Sequence, residues 1–329
     1  MKAGLLPTED DVPRAHRSQS IAHRGYKAKY PENTMCAFRH AIKADAQALE
    51  TDIHLSKDGV VVLSHDPTLK RCFGINKRVI DCDWEYLSTL RTLQAPHEPM
   101  ATLVQLLEYL AVPENTGIWV LLDIKIDNDR EQVMRAIADA IRSVPSPHQP
   151  WEERIILGCW TSDYLPLCST YLPSFSIAII TFSIKYARLF LRFPNIAISI
   201  NQKVLMGPGG KKLLADAKRA QQPVFVWTVN EENLMRWSIE QGVDGVITDD
   251  PDLFRQVRDE WDAELESDGD LKKPVAGCTV KITLRQKIAA LVVSAAAYLI
   301  SDLLMLVFRA RIRRFVEESR HHRGGETLN

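Results

Sequence analysis

Short apolar runs alternate with longer amphipathic stretches along most of this chain. The runs at 20–24, 48–53, 118–124, 155–160, 176–181, 195–200, 223–228 and 244–248 have the length and the bounding turn residues of strands. Between them, apolar positions recur at helical spacing over 34–45, 102–111, 129–143, 162–171, 184–191, 209–220 and 231–241. Alternation of this kind predicts a parallel sheet, and eight strands suffice to close it into a (β/α)8 TIM barrel. A ninth extended segment, 60–65, follows Asp58-Gly59, a strong hairpin signal. It is expected outside the barrel wall, as the second arm of a hairpin over the mouth. Residues 67–100 show little periodicity and are expected as an insertion that caps the catalytic face.

The pattern changes towards the carboxy terminus. Residues 262–274 are charged and read as a linker. From Ile288 to Phe308 the chain is apolar apart from Ser294, Ser301 and Asp302. A membrane-spanning helix needs roughly 20 such residues. Asp302 is unfavourable at depth, by ~2.5–3.5 kcal/mol near a helix centre. Basic residues flank both ends: Lys281, Arg285 and Lys287 before, Arg309, Arg311, Arg313 and Arg314 after. A single span would carry the arginine-rich tail to the far side, against the positive-inside tendency. A bent or hairpin insertion, with both flanks near cytosolic head groups, is expected instead. Apolar side chains all round argue against a helix buried on the barrel. The chain thus divides into a polar tail (1–17), a barrel (18–260), a linker (261–280), a hydrophobic membrane segment (281–316) and a second polar tail (317–329).

Composition narrows the setting. A chain of 329 residues accommodates one barrel and an appendage, and a formal net charge of −1 gives no bulk electrostatic reason for a nucleic-acid partner. The six cysteines are scattered without a C-x-x-C pair, for which a reducing compartment is the simpler setting. Met1 to Gln19 is polar and lacks the apolar core of a secretory signal. The catalytic domain is therefore expected in the cytosol, attached to a membrane such as the endoplasmic reticulum, the outer mitochondrial membrane or a lipid droplet surface.

The candidate chemistry is concentrated between Ile21 and Leu69, which places His23, Arg24, Glu32, Glu50, Asp52, His65 and Asp66 beside strand-like runs. Polar side chains at strand ends are poor core material when unpaired and good site material where several strands end together. Glu50 and Asp52 are two apart in one strand, so both point to the same face. Two carboxylates there repel each other unless a cation lies between them, and oxygen ligands suit Mg²⁺ or Ca²⁺. The Asp58-Gly59 turn returns His65 towards the place the chain left, where a histidine can act as a general acid or base. Farther on, Asp123 and Lys125 share a face at the end of an apolar strand. Singly, each of these has an ordinary structural reading: a satisfied histidine, a solvated strand face, an ion pair. The ordered set carries the chemistry.

That set, H-R-G, P-E-N-T, E-x-D, D-G and H-D, resembles the signature of the glycerophosphodiester phosphodiesterase family. The resemblance implies a (β/α)8 barrel and divalent-metal hydrolysis of phosphodiesters bearing a glycerol. It implies His23 and His65 as the acid/base pair, Arg24 on the phosphate, Glu50 and Asp52 as metal ligands, and Glu32 close to Arg24 and the metal. Where the family has E-x-K, this chain has Asp123-Ile124-Lys125, with the acid on the metal and Lys125 on the phosphate. Trp227, in a segment similar to the family's W-T-x-N, would form an apolar wall beside the glycerol. Asp244 to Asp249 resembles the closing strand and is read as structural. With the hydrophobic segment added, the layout looks like the fungal phosphatidylglycerol phospholipase C branch, which implies cleavage of phosphatidylglycerol to diacylglycerol and glycerol phosphate. A glycerophosphodiesterase or lysophospholipase D is the alternative within the enzyme class. An inactive membrane-bound lipid-binding scaffold is the alternative outside it, and the presence of both histidines and all three carboxylates argues against it.

Overall fold

A computed structural model of the chain describes residues 18–267 and 280–299. Its strands are β1 (Gln19–His23), β2 (Ala48–Leu55), β3 (Val61–Leu63), β4 (Trp119–Ile124), β5 (Ile155–Cys159), β6 (Ser176–Thr181), β7 (Ile196–Asn201), β8 (Val224–Trp227) and β9 (Gly245–Thr248). They form one sheet in the order β1-β9-β8-β7-β6-β5-β4-β2-β3, and β1 also pairs with β2. All pairings are parallel except β2 with β3. Eight strands therefore close the barrel, and β3 lies outside it as the returning arm of a hairpin, as the Asp58-Gly59 turn implied.

Strand alternation sorts the side chains into two layers. Ile21, Ala48, Trp119, Leu121, Ile156, Ala178, Ala197, Phe225 and Ile247 form a buried cluster inside the barrel. The alternating residues, such as Leu49, Ile53, Val120 and Leu122, pack outward in the larger helix-facing core. The interior positions of β2 and β4 run in register from Ala48 beside Trp119, through Glu50 beside Leu121, to Asp52 beside Asp123. The apolar plug thus gives way to carboxylates at the carboxyl end of the strands.

The helices are α1 (Met35–Lys43), α2 (Lys70–Phe73), α3 (Trp84–Ser88), α4 (Leu103–Leu110), α5 (Arg130–Ser143), α6 (Leu165–Tyr171), α7 (Ile184–Phe190), α8 (Gln202–Leu205), α9 (Gly210–Arg219), α10 (Glu232–Gln241) and α11 (Pro251–Ser267). A twelfth, α12, covers 284–299. Local chemistry starts several of them. Thr34 caps α1 by accepting from Ala37 N, Thr102 and Gln105 form a capping box on α4, and Asp129 caps α5. The insertion after β3 holds α2 and α3 over a small core of its own, built from Val62, Leu69, Val79, Leu87 and Met100.

For the carboxy-terminal part, one expectation needs correction and a second finds no support. The charged run from 262 does not start as a linker, because α11 continues through Ser267. Within the run Glu264 accepts from Arg236 of α10 at 3.0 Å, which also bonds Glu260 just before it at 2.7 Å, and Trp261 is buried. The second concerns the membrane segment. Among the described residues no helix is long and apolar enough to cross a membrane. The described part of that segment, α12, packs on the barrel through its small residues. Ala290, Ser294 and Ala297 are buried, and Ser294 Oγ donates to Lys203 O at 3.2 Å. Side-chain size on one helical face, invisible to a hydropathy count, allows this packing. Residues 300–308 lie outside the described residues.

The turn after β1 depends on Gly25. Its φ is +79°, and a Cβ there would lie 2.7 Å from the backbone carbon of Ala37. Gly25→Ala should therefore lower unfolding stability by about 1–3 kcal/mol, read from urea denaturation. An unchanged midpoint would mean that the turn relaxes freely.

Candidate active site

Neighbouring strands β2 and β4 bring Glu50, Asp52 and Asp123 together. One carboxylate oxygen from each lies within 4.8 Å of the others, and all three residues are buried. Three negative charges cannot share such a place uncompensated. Burial and the neighbouring Asp52 and Asp123 push the Glu50 carboxyl well up. Burial likewise raises Asp123, against the opposing pull of Lys125. Asp52 goes the other way: burial opposes its charge, but Lys125 and Arg24 outweigh it and hold the carboxyl far below its usual range.

The cations are placed to do this. Lys125 Nζ lies 2.6 Å from Asp52 Oδ1 and 2.5 Å from Asp123 Oδ2. Arg24 Nε lies 3.2 Å from Asp52 Oδ2, and its backbone N–H donates to Glu50 Oε2 at 2.9 Å. Glu32 accepts from Arg24 Nη1 at 2.9 Å. Asn33, in the P-E-N-T run, lies next to Thr34, the residue that caps α1, but does not cap it. Instead its Nδ2 donates to Asp52 Oδ2 at 2.8 Å while its Oδ1 accepts from Thr51. The indole N–H of Trp160 donates to Asp123 Oδ1 at 2.7 Å. Each carboxylate is thus fixed by a second residue, which is how ligands for a hard cation are oriented. The triad fits a divalent ion: three hard oxygen donors, converging and buried, two of them raised for want of positive charge.

Two histidines face this centre, each held by a carboxylate. His23 Nδ1 lies 2.5 Å from Asp249 Oδ1, and His65 Nδ1 lies 2.7 Å from Asp66 Oδ1. A carboxylate only accepts, so Nδ1–H donates in both pairs and each Nε2 is left to take or give a proton. Burial lowers the His23 pKa more than its bond to Asp249 raises it, so its imidazole is neutral at physiological pH. Both imidazoles sit close enough to Asp52 to help lower its pKa.

Asp249 is thereby more than the end of the closing strand. Burial pushes its carboxyl up, but His23 and Lys27 bring it down to about 2. A second residue missed in the sequence is Arg71 of α2. Its guanidinium donates to Asp66 Oδ2 at 2.7 Å and, through two bonds of 2.7 and 2.8 Å, to both oxygens of Glu32. Burial would raise Asp66, yet Arg71 and His65 bring it to about 2. A chain of charge thus runs from His65 through Asp66, Arg71, Glu32 and Arg24 to Asp52.

On the other side of the mouth is an aromatic wall. Trp227 meets Phe182 edge-on with ring centroids 4.8 Å apart, and Trp160 lies 5.8 Å from Trp227 and 6.0 Å from Phe182. Phe182 is 45% exposed, and Ile126, beyond β4, is 66% exposed. Trp160 and Phe182 have no signal in the sequence beyond lying just past strands β5 and β6.

Comparison with known proteins decides what this centre is. The model of the glycerophosphoryl diester phosphodiesterase family matches residues 23–253, from the first site histidine to beyond Asp249. The chain belongs to the glycerophosphoryl diester phosphodiesterase family. A glycerophosphodiester phosphodiesterase of Bacillus altitudinis is 29% identical over 246 residues, covering 73% of this chain and 98% of that protein. The lysophospholipase D GDPD1 of Homo sapiens is 28% identical over 278 residues, covering 72% of this chain and 85% of that one. An Oleispira antarctica phosphodiesterase solved in complex with the product sn-glycerol-3-phosphate shares the fold, with 21% identity and a TM-score of 0.65 over 74% of this chain and 99% of that one. This phosphodiesterase is a phosphoric diester hydrolase, and enzymes of its family use a divalent metal, for which the acidic triad provides a place.

The two histidine–carboxylate pairs should respond in opposite ways. Asp249→Asn removes the bond that raises His23, so the acid limb of kcat/KM should move to lower pH, with a loss of about 10²–10⁴ in rate. Arg71→Met lets Asp66 regain its proton at higher pH, so its acid limb should move up. Limbs that stay in place in both variants would contradict these pairings.

Proposed function

We propose that this phosphodiesterase cleaves glycerol-bearing phosphodiesters by attack of the glycerol's own 2-hydroxyl, and that its substrates carry a lipid chain. The observation that carries the reading is the pair of carboxylate-held histidines at one acidic, cation-lined centre. His23, kept neutral by burial, takes the proton of the 2-hydroxyl as its oxygen attacks phosphorus. His65, on the returning hairpin, gives a proton to the departing alcohol oxygen. Arg24 and Lys125 hold the non-bridging oxygens. A divalent cation held by Glu50, Asp52 and Asp123, Mg²⁺ or Ca²⁺, supplies charge neutralisation at the phosphate when bound. The product is a cyclic glycerol phosphate, which water opens with the histidine roles reversed. The neighbouring hydroxyl is favoured over water because proximity lowers the barrier.

This route fixes which bond breaks: phosphate stays with the glycerol whose 2-hydroxyl is free. Phosphatidylglycerol then gives diacylglycerol and glycerol phosphate, the phospholipase C outcome. A lysophospholipid gives lysophosphatidate and its head-group alcohol, the lysophospholipase D outcome, a reading also favoured by similarity to the human lysophospholipase D. The aromatic wall around Trp227, with Phe182 exposed at its edge, supports a substrate with an apolar tail beside the phosphate. The setting we propose is the cytosolic face of a membrane.

Product analysis on phosphatidylglycerol, lysophosphatidylcholine, glycerophosphocholine and phosphatidylcholine, side by side, tests the rule. The first three should be cleaved with phosphate left on the hydroxyl-bearing glycerol, and phosphatidylcholine should be inert. Release of choline phosphate, or cleavage of phosphatidylcholine, would contradict it. His65→Ala should lose about 10²–10⁴ in rate on these substrates but recover on a p-nitrophenyl ester, whose leaving group needs no proton. His23→Ala should not recover.

A further inference from the structure

Helix α12 has two faces, and only one is used by the barrel. At about 100° per residue, Ala290, Ser294 and Ala297 fall on the inner arc and are buried. Leu284, Ile288, Leu291, Val292 and Leu299 fall on an outer stripe about 100° wide, and all five are exposed. They are five of the ten large apolar side chains left exposed among the described residues. Arg285 and Lys287 lie on opposite edges of that stripe, both exposed, and Lys281 precedes it. The described helix carries no acidic residue.

The inner face is seated on the catalytic side of the barrel. Gln286 bonds Asn233 and Glu231, just past β8. Ser294 Oγ donates to Lys203 O, just past β7. Tyr298 Oη donates to Pro208 O at 3.0 Å, and Lys185, just past β6, lies over its ring. These connections all leave the carboxyl ends of strands, where the acidic triad and Phe182 also sit. Gly207 permits the approach, since a Cβ there would meet Ser294 Oγ at 2.0 Å. The described part of the helix, about 24 Å long, therefore runs along the rim of the mouth with its apolar stripe outward.

We propose that the outer stripe of α12 is a lipid-docking surface that lays the mouth of the barrel against an anionic bilayer. The helix enters the interface in the plane of the membrane, and Arg285 and Lys287 reach head-group phosphates from either edge. A second copy of this chain is a poorer occupant: two such helices would oppose cations with no carboxylate between them. The docking surface stands on α12 alone. Its use, to present a lipid-borne phosphodiester to the triad, rests on the function proposed above.

The test uses the full chain and vesicles of phosphatidylcholine and phosphatidylserine, so that binding is read without turnover. The triple variant Ile288→Glu, Leu291→Glu, Val292→Glu should bind these vesicles at least about ten-fold more weakly and lose hydrolysis of vesicle-embedded lipid, while hydrolysis of glycerophosphocholine stays unchanged. Unchanged vesicle binding would overturn the proposal. So would light scattering that shows a dimer for the parent chain and a monomer for the variant, which would make a second copy the occupant. Should the triple variant unfold, Leu291→Trp serves in its place: its emission should shift to the blue on adding vesicles, and the absence of a shift would overturn the proposal. Failure of the substrate reading would leave vesicle binding intact, so the two failures are distinguishable.

Discussion

The constraint on which the site depends is the cost of holding three carboxylates in one buried place. Glu50, Asp52 and Asp123 converge at the open end of an otherwise apolar barrel interior. Charge there cannot be left to water, because the groups are buried. Arg24 and Lys125 compensate Asp52, and the remaining strain appears as the raised pKa of Glu50 and Asp123. A bound cation would supply the positive charge that Glu50 and Asp123 lack, which is why such a group favours a cation site. The same electrostatics that makes it costly makes it a strong place to neutralise a phosphodiester.

The barrel supplies that geometry through register. Asp52 pairs with Asp123 and His23 with Glu50 across adjacent parallel strands, so groups far apart in sequence end at one level. Much of this was legible because the family-like motifs lie at strand ends and the two-residue spacing in E-x-D fixes a common face. The hairpin was legible from Asp58-Gly59 alone. The partners that orient the reactive groups were not. Asp249 lies 226 residues from His23, and they meet only because β9 closes the barrel against β1. Arg71 sits in an insertion without periodicity, and its role appears only where α2 folds back over Glu32 and Asp66. Trp160 and Phe182 look like ordinary aromatic residues until three loops bring them round Trp227.

The carboxy-terminal part shows what hydropathy misses. Counted as apolar residues, 288–299 is the first half of a membrane segment. Sorted by size and face, it is a helix with a small inner side that fits Gly207 and a large outer side that fits nothing on the barrel. Its position over the loops after β6, β7 and β8 links the catalytic face to whatever covers that outer side. Catalysis and the approach to substrate are therefore parts of one surface.

The central claim, that the acidic triad is built around a cation, is tested most directly by calorimetric titration of Ca²⁺ or Mg²⁺ into the protein in two buffers of different ionisation enthalpy. Because Glu50 and Asp123 are raised in the absence of a cation, a cation competes with their protons, so affinity should fall and proton release on binding should grow as the pH is lowered, and Glu50→Gln should reduce both the release and the affinity. Binding with no proton release, or with equal affinity in Glu50→Gln, would contradict the account.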